Sequence, residues 1–476
     1  MKSKSVSRFI LYGALVTSGA SISTHVYAQL RIPQQILEPV TPVIERIPAE
    51  VDTIRDVLET TVNQGVEGTL NTLSSIPAPQ FSVPSPLSLN ASSGNLILKE
   101  VETPDGFLAV EREWLFVGNE ADINYFAHPD ITIKSSHYLP AIDQWIYRLK
   151  VTTSLDELSQ IGNSLPEALK AQVGRNHIYL AQGVEGENKE SGKAKSTNPD
   201  LNGNTNSATG QNLGEGTGLG SNVDSGEAIS NTKNKQVCQV PVRIGMVDTE
   251  VAQNHPRLEH VNIEQQSFLP QNLPATQVHG TSVASLLANN MHSGSQLYNA
   301  SVFYTRNSVS QGATLLSLID GLNYLLANHV DVINMSLAGP ENPVLAKIIE
   351  KVSEQGVQII AAVGNEGPAS PPLYPAAYPS TIAVTAVDAN LAIYRWANQG
   401  SHVDFAAQGV SVETAHPDGT LTRETGTSMA TPLISARYAC LFRATKNQEQ
   451  TIVALRDQAI DAGAPGRDSV FGVGIL

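Results

Sequence analysis

In the second half of the chain, short runs of almost purely apolar residues alternate with stretches in which apolar residues recur at helical spacing. The apolar runs cover residues 242–247, 297–304, 331–337, 357–363 and 381–387. Two of the intervening stretches place their Leu, Ile and Val residues on one helix face, at 315–326 and 344–352. Fully apolar strands that alternate with helices are typical of a parallel sheet covered on both faces. We therefore expect an α/β fold with a doubly wound parallel sheet and functional groups at the carboxyl ends of its strands.

Residues 96–183 show a different pattern, in which several strands occur close together with short helices between them. Strands are expected at 113–117, 131–135, 144–151 and 177–181, with a short helix at 120–127. Ser154 and Glu157 form a capping-box pattern that predicts the start of another helix. This order of elements predicts a small α+β sandwich with its helices on one face of the sheet.

The remaining stretches have the composition of connecting segments. Residues 29–95 are rich in Pro, and residues 184–236 are rich in Gly, Asn and Ser with almost no large apolar side chain. The second stretch therefore predicts a flexible linker that proteases can reach. The expected organisation is a signal peptide (1–28), a Pro-rich lead segment (29–95), an α+β domain (96–183), a linker (184–236) and an α/β domain (237–476).

The N-terminus has the features of a secretory signal peptide. Lys2, Lys4 and Arg8 precede an apolar stretch, and a small residue, Ala28, ends the pattern Val-Tyr-Ala. A membrane anchor is the weaker alternative, because Gly and Ser interrupt a stretch shorter than the roughly 20 apolar residues that a span needs. We expect a secreted or periplasmic protein that has no membrane span once the signal is removed.

Charge and cysteine content narrow the classes of partner and site. The 476 residues include 45 acidic and 30 basic side chains, and the net charge of -15 argues against a nucleic-acid partner. The two cysteines, Cys238 and Cys440, are too few for a structural zinc site. Export to an oxidising compartment favours a disulfide between them, and two buried free thiols remain the alternative.

Three polar residues occur where a parallel sheet would bring functional groups together. Asp248 follows the first apolar run, His279 opens a helical pattern, and Ser428 begins another. Each alone has an ordinary interpretation as a turn residue, a polar helix end or a helix cap. Together they supply the hydroxyl nucleophile, the imidazole base and the carboxylate that acyl transfer requires. The start of a helix also offers unpaired backbone N–H groups to an oxyanion.

Six motifs resemble those of the subtilisin-like serine peptidases, and together they span residues 240–475. They are MVDTE at Asp248, NHPRL from Asn254, HGTSVA at His279, INMSLAGP from Ile333, AAVGNEG around Asn365 and GTSMATP at Ser428. The order Asp, His, Ser is also that of subtilisin.

The resemblance implies a serine endopeptidase that hydrolyses proteins or peptides and needs no cofactor or metal. Ser428 would be the nucleophile, His279 the general acid and base, and Asp248 the group that orients the imidazole. Asn365 would donate its side-chain amide to the oxyanion. The alternative is a catalytically silent scaffold of the same fold that is used for binding.

The resemblance also implies where substrate is held. The backbone of Ser336, Leu337, Ala338 and Gly339 would bind it as an added strand. Leu373 falls on the floor of the primary pocket, where a small residue often occurs. A bulkier floor would favour small or medium apolar residues on the acyl side of the cleaved bond.

Members of this family commonly carry an N-terminal prodomain that inhibits the site until it is cut away. Residues 96–183 have the corresponding place and size, and an unrelated exported binding module is the alternative. The cut is expected near Gly183 or in the linker.

One departure from the family pattern is Glu250, which stands where Gly is usual. Its carboxylate could raise the pKa of His279 or contact a substrate cation, or it could simply be solvated.

Overall fold

The computed structural model describes residues 85–90, 96–163, 165–181, 184–185, 238–270, 273–307 and 310–476. The predicted signal peptide lies outside these residues, as do nearly all of the lead segment and the linker. Every described residue belongs to one compact unit, Pro79–Leu476. Below, the N-terminal region means residues 85–185 and the C-terminal region means residues 238–476.

The N-terminal region contains mostly antiparallel strands with short helical turns. In chain order its elements are β1 (Ser88–Asn90), β2 (Leu96–Glu102), β3 (Leu108–Gly118), a 3-10 helix (Glu120–Phe126), β4 (Ile131–Leu139), β5 (Gln144–Val151), a 3-10 turn (Thr153–Leu155), α1 (Leu158–Gly162), α2 (Glu167–Lys170), β6 (Val173–Ala181) and β7 (Val184–Glu185). Strand β1 lies in the stretch that composition assigned to the lead segment.

The C-terminal region alternates strands and helices. Its elements are β8 (Arg243–Asp248), a 3-10 turn (Pro256–Leu258), β9 (Asn262–Ser267), α3 (Val278–Ala288), β10 (Gln296–Ser301), β11 (Tyr304–Thr305), β12 (Gln311–Thr314), α4 (Leu315–Ala327), β13 (Val332–Met335), β14 (Leu337–Ala338), α5 (Pro343–Glu354), β15 (Gln358–Ala362), β16 (Thr381–Val387), β17 (Phe405–Gln408), β18 (Val412–Ala415), β19 (Leu421–Thr425), α6 (Thr427–Thr445) and α7 (Gln448–Gln458).

Seven strands of the C-terminal region form a parallel sheet in the order β17-β16-β15-β13-β8-β10-β9. Helices α4 and α5 pack on one face, in a core that includes Val247 and Ile333. Helices α3 and α6 pack on the other face, in a core that includes Met246 and Val332. Neighbouring residues of a strand point to opposite faces, so an apolar run is buried on both sides. The predicted doubly wound α/β fold is confirmed.

Two apolar runs that the sequence predicts as single strands each contribute to two sheets. The run at 297–304 leaves the parallel sheet after Ser301, and the run at 331–337 leaves it after Met335. The residues that follow, in β11 and β14, join a nine-stranded sheet that is shared with the N-terminal region. The apolar pattern could not reveal this break, because the chain stays buried on both sides of it.

The nine-stranded sheet has two buried faces in the N-terminal region. Trp114 and Phe116 of β3 pack into a core with residues of the region's own helices. The residues that alternate with them, Leu115 and Val117, share a core with α4 and α5. The predicted α+β arrangement therefore has its own helices on one face and the C-terminal region on the other.

The predicted helix start at Ser154 is wrong. A 3-10 turn covers Thr153–Leu155, and α1 begins only at Leu158, with Glu157 as its N-cap. Asp156 Oδ1 accepts hydrogen bonds from Trp114 Nε1 at 3.0 Å and from Arg175 Nη1 at 2.7 Å. These tertiary bonds hold the chain out of helical conformation where the local capping pattern would have begun a helix.

Strand β6 joins the two regions. Its first residues, 173–177, pair with β3, and its later residues lie between β12 on one side and β14 on the other, antiparallel to both. Leu180 lies opposite both Gly312 and Ala338, and Ala181 lies opposite Leu337. A short distance further along the chain, β7 pairs antiparallel with β19. The end of the N-terminal region therefore runs as an added strand along the C-terminal region.

The two cysteines form a disulfide. Cys238 and Cys440 are bonded across a sequence separation of 202 residues, with their Cα atoms 5.4 Å apart. This confirms the expected disulfide over the alternative of two free thiols. The bond ties the beginning of the C-terminal region to helix α6.

Candidate active site

Asp248 and His279 form a buried hydrogen-bonded pair. Asp248 is the last residue of β8, and His279 is the second residue of α3. His279 Nδ1 and Asp248 Oδ1 are 2.8 Å apart, and the same carboxylate oxygen accepts a bond from the backbone N–H of Thr249 at 2.7 Å. Asp248 is fully buried and His279 is 7% exposed. The carboxylate is therefore held in place and in turn holds the imidazole ring.

The close approach of α3 to the end of β8 depends on Gly280. A Cβ atom on this residue would lie 2.6 Å from the carbonyl oxygen of Thr249 and 2.7 Å from that of Glu250. Because glycine has no side chain, the backbone can come close enough for the Gly280 N–H to donate to Thr249 Oγ1 at 2.7 Å. The helix can thus begin close enough to β8 for His279 to reach Asp248.

The surroundings of His279 shift its pKa in opposite directions. Burial has the largest influence and lowers the pKa, whereas the charge and hydrogen bond of Asp248 and the charge of Glu424 raise it. The net effect is a raised pKa. A second carboxylate, that of Glu424, therefore adds to the effect of Asp248 on the imidazole.

Ser428 lies in the first turn of α6 and contacts the segment that precedes β14. Its hydroxyl donates to the Ser336 carbonyl oxygen at 3.1 Å, and its own carbonyl oxygen accepts a bond from Ser336 Oγ at 3.0 Å. In the described residues, neither His279 Nε2 nor Asp248 Oδ2 has a hydrogen-bond partner. The structure thus joins His279 to Asp248 directly, while the Ser428 hydroxyl is turned towards Ser336.

Asn365 is held against the start of the same helix. Its side-chain oxygen accepts bonds from both the backbone N–H and the hydroxyl of Thr427, each at 3.0 Å. Because the oxygen end of the carboxamide is bound to Thr427, the amide nitrogen is the end that points elsewhere. The oxygen of Asn365 is therefore fixed on Thr427, the residue before Ser428, which suits an oxyanion donor.

The predicted substrate-binding residues form the edge along which β6 runs. Leu337 and Ala338 pair with β6, and Gly339 forms a backbone bridge to Tyr374. Leu373 is buried, and its side chain packs against Gly364, the neighbour of Asn365. The predicted pocket residue therefore lies beside the predicted oxyanion donor.

Two residues of this site gave no distinct signal in the sequence. Thr249 orients both Asp248 and α3, and Glu424 acts on His279 from β19. Each is a common polar residue, and only the tertiary fold brings it to the site.

Among the described parts of the chain, no group of three or more His, Cys, Asp or Glu side chains could hold a metal ion.

The arrangement can support acyl transfer. It contains a buried imidazole held by a carboxylate, a hydroxyl at a helix start, and an amide side chain fixed to the residue that precedes that hydroxyl. These are the groups needed to deprotonate a nucleophile and to stabilise an oxyanion.

Comparison with known proteins gives the family of the C-terminal region. The model of the Subtilase family, Peptidase_S8, matches residues 240–474. Subtilisin of Bacillus pumilus is 34% identical over 248 residues, which cover 49% of this chain and 88% of that protein. Subtilisin E of Bacillus subtilis (strain 168) is 33% identical over 49% of this chain and 64% of its own length.

Other similarities cover less or are weaker. Minor extracellular protease Epr of Bacillus subtilis (strain 168) is 32% identical over 42% of this chain and 32% of its own length. The chain thus spans less than two thirds of this relative and of subtilisin E. The crystal structure of a lanthipeptide protease is similar with a TM-score of 0.43 and 19% identity, over 49% of this chain and 85% of that chain. On the family match and the coverage of the Bacillus pumilus subtilisin, this chain belongs to the subtilase family of serine peptidases.

Proposed function

We propose that the protein is an exported serine endopeptidase that cleaves proteins or peptides through an acyl-enzyme on Ser428. The observation that best supports this is the buried Asp248–His279 pair at 2.8 Å, in which the second imidazole nitrogen, Nε2, has no hydrogen-bond partner among the described residues. An imidazole held in this way is suited to accept a proton from a hydroxyl.

In the proposed reaction, Ser428 Oγ attacks the carbonyl carbon of the substrate while His279 Nε2 takes its proton. The hydroxyl must first turn from the Ser336 carbonyl oxygen, 3.1 Å away, towards the imidazole. The oxyanion accepts hydrogen bonds from the Asn365 amide and from the N–H groups at the start of α6. His279 then protonates the leaving amine. In the second half of the reaction water attacks the acyl-enzyme, and His279 takes a proton from the water and returns it to Ser428 Oγ as the product leaves.

We further propose that residues 96–183 are a prodomain that inhibits the peptidase domain, residues 237–476, until it is cut away. The pairing of β6 with β14, and of β7 with β19, supports this, because the chain then follows the line that a substrate strand would take past Ser428. Cleavage between Ala181 and Val184, near the predicted Gly183, would separate the two regions. Residues 184–236 would then be the linker of the precursor.

Export follows from the predicted signal peptide, residues 1–28, and leads to a secreted or periplasmic protein. The Cys238–Cys440 disulfide supports an oxidising compartment. Within the part of the chain that the structure describes, no helix has the length and apolar character needed to cross a membrane.

Labelling with a fluorophosphonate probe tests the proposed nucleophile. The full chain is allowed to mature, treated with the probe beside the Ser428→Ala variant, and digested for mass spectrometry. We expect an adduct on Ser428 in the natural sequence alone, and new termini between Ala181 and Val184. A sample that has lost the N-terminal region and still takes up no probe would instead favour the silent binding scaffold.

Preference for the residue before the cleaved bond is tested separately. Because Leu373 fills part of the proposed primary pocket, we expect cleavage after small or medium apolar residues. A peptide library that is cut best after Phe, Tyr or Lys would contradict this assignment of Leu373.

A further inference from the structure

A buried ion pair connects the two regions beside the strand β6. Glu100 of β2 accepts hydrogen bonds from Arg306 Nε at 2.9 Å and Arg306 Nη2 at 2.6 Å, one on each carboxylate oxygen. Tyr304 donates its hydroxyl to the same carboxylate at 2.7 Å. The side chains of Glu100 and Arg306 are 0% and 1% exposed. This is a two-pronged arginine–carboxylate contact reinforced by a tyrosine hydroxyl.

Most partners of Arg306 come from the N-terminal region. Besides Glu100, Arg306 Nη2 donates to the Ser85 carbonyl oxygen at 2.9 Å. Among the described residues of the C-terminal region, the hydrogen-bond partner of this side chain is Ser310, whose Oγ lies 3.2 Å from Nη1. When the N-terminal region is removed, the guanidinium therefore loses both the Glu100 carboxylate and the Ser85 carbonyl oxygen.

The same guanidinium lies beside the path that substrate would follow. A Cβ atom built on Gly312 of β12 would be 2.8 Å from Arg306 Cδ, 3.0 Å from the Tyr304 hydroxyl and 3.0 Å from Ile178 Cγ2. The side chains of Ile178 in β6, Arg306 and Tyr304 therefore all border the space that a Gly312 side chain would occupy. Ile178 and Tyr304 also belong to one apolar cluster. A glutamate at the position of Ile178 would extend its carboxylate towards the guanidinium.

We propose that Arg306 and Tyr304 form a subsite for an acidic side chain of the substrate, which Glu100 fills while the N-terminal region is in place. The subsite selects substrates with Glu three residues before the position of Ala181. This rests on the proposed peptidase function, and it adds a distal specificity determinant to the site around Ser428.

Matched peptides test the subsite. The parent peptide has the chain's own sequence from residues 176–185, and Ile178 is replaced by Glu in one version and by Gln in the other. With peptidase matured from the full chain, we expect kcat/KM to be roughly 10- to 100-fold higher for the Glu peptide, the size expected for a hydrogen bond to a charged group. In the Arg306→Gln variant the ratio between the two peptides should fall to about 1.

Two controls separate the subsite from general effects of charge. The same Glu and Gln pair at the position of Tyr179, whose side chain points to the other face of β6, should show no such preference. Arg456→Gln, a change of an exposed residue on α7, should keep the ratio of the natural enzyme. Equal kcat/KM for the two parent peptides would overturn the proposal, and so would a preference that survives in Arg306→Gln.

A second measurement does not depend on catalysis. In the full chain with Ser428→Ala, Glu100→Gln should raise amide hydrogen exchange in β2 and β12 by roughly 10-fold, and the pair Glu100→Arg with Arg306→Glu should restore protection. If neither peptide is cleaved, the proposed function has failed together with its substrate subsite, and this measurement still decides whether Arg306 selects a carboxylate. Unchanged exchange in Glu100→Gln would then overturn it, because Arg306 would not distinguish a carboxylate from an amide.

Discussion

Helix α3 starts against the backbone that follows β8, and Gly280 is the residue that makes this possible. In Gly280→Ala the new methyl group would lie 2.6 Å from the Thr249 carbonyl oxygen and 2.7 Å from that of Glu250. Both atoms belong to the backbone and cannot rotate away. To open the shorter contact to 3.0 Å, the start of the helix must retreat by about 0.4 Å.

This retreat would act directly on the pair that we propose to be catalytic. His279 precedes Gly280 and would move with it, so its 2.8 Å bond to Asp248 would lengthen towards the limit of a good hydrogen bond. Because a misplacement of about 1 Å can lower an enzyme's rate by about 10²-fold, we expect a loss of roughly 10-fold in kcat/KM. Overpacking should also lower the free energy of unfolding by about 1–3 kcal/mol.

Peptide hydrolysis and urea denaturation of the matured enzyme measure the two effects. Ser282→Ala is the matched control, because it changes the same helix without adding an atom. It removes a 3.3 Å hydrogen bond to the Ala415 carbonyl oxygen and a 3.2 Å bond from the Thr414 hydroxyl. We expect it to keep kcat/KM close to that of the natural enzyme. If Gly280→Ala is destabilised but fully active, then the close approach of α3 does not position His279, and the reasoning is refuted.

Four further predictions follow from the site and its surroundings. Asn365→Ala should lower kcat by about 10²- to 10³-fold with little change in KM, as for the oxyanion asparagine of subtilisin itself; an equal rise in KM would mean that it acts in binding. His279 must be neutral to act as a base and its pKa is raised. The acid limb of a kcat/KM profile should therefore have its midpoint above pH 6.5, the ordinary pKa of histidine. Glu424→Gln removes one of the charges that raise this pKa, so the acid limb of a kcat/KM profile should move to lower pH, and a limb that stays or moves up would exclude the effect. Replacing Cys238 and Cys440 by Ser should cost up to about 5 kcal/mol of unfolding free energy, since the bond closes a loop of about 200 residues; denaturation curves that match those of the natural protein would show that the loop closure contributes little.

The parallel sheet was largely predictable because its central strands are buried on both faces. Burial on both faces requires an apolar residue at nearly every position, and the apolar run at 357–363 shows this pattern in the sequence. Strand β9 has the sequence NIEQQS and was not predicted, because it lies at the edge of the sheet with most of its side chains exposed or half-exposed. Edge position is a property of the assembled sheet and leaves no apolar run.

The candidate site was predictable as a set of residue types but not as a set of contacts. Asp248, His279 and Ser428 stand in motifs whose spacing and order resemble those of the subtilases, so their proposed roles could be assigned without coordinates. The effect of Glu424 on the pKa of His279 could not be predicted in this way. Glu424 lies in β19, 145 positions from His279 in the chain, and no local pattern connects the two residues.

The sequence by itself determined the fold class, the motifs of the family and the residue types of the site, because each depends on local periodicity or on short segments of chain. Only the tertiary structure decided how the two regions meet. It placed β6 between β12 and β14, Leu115 and Val117 against α4 and α5, and Glu100 on Arg306. These contacts join residues more than 130 positions apart. The type of an apolar or charged residue does not indicate which distant residue it will contact.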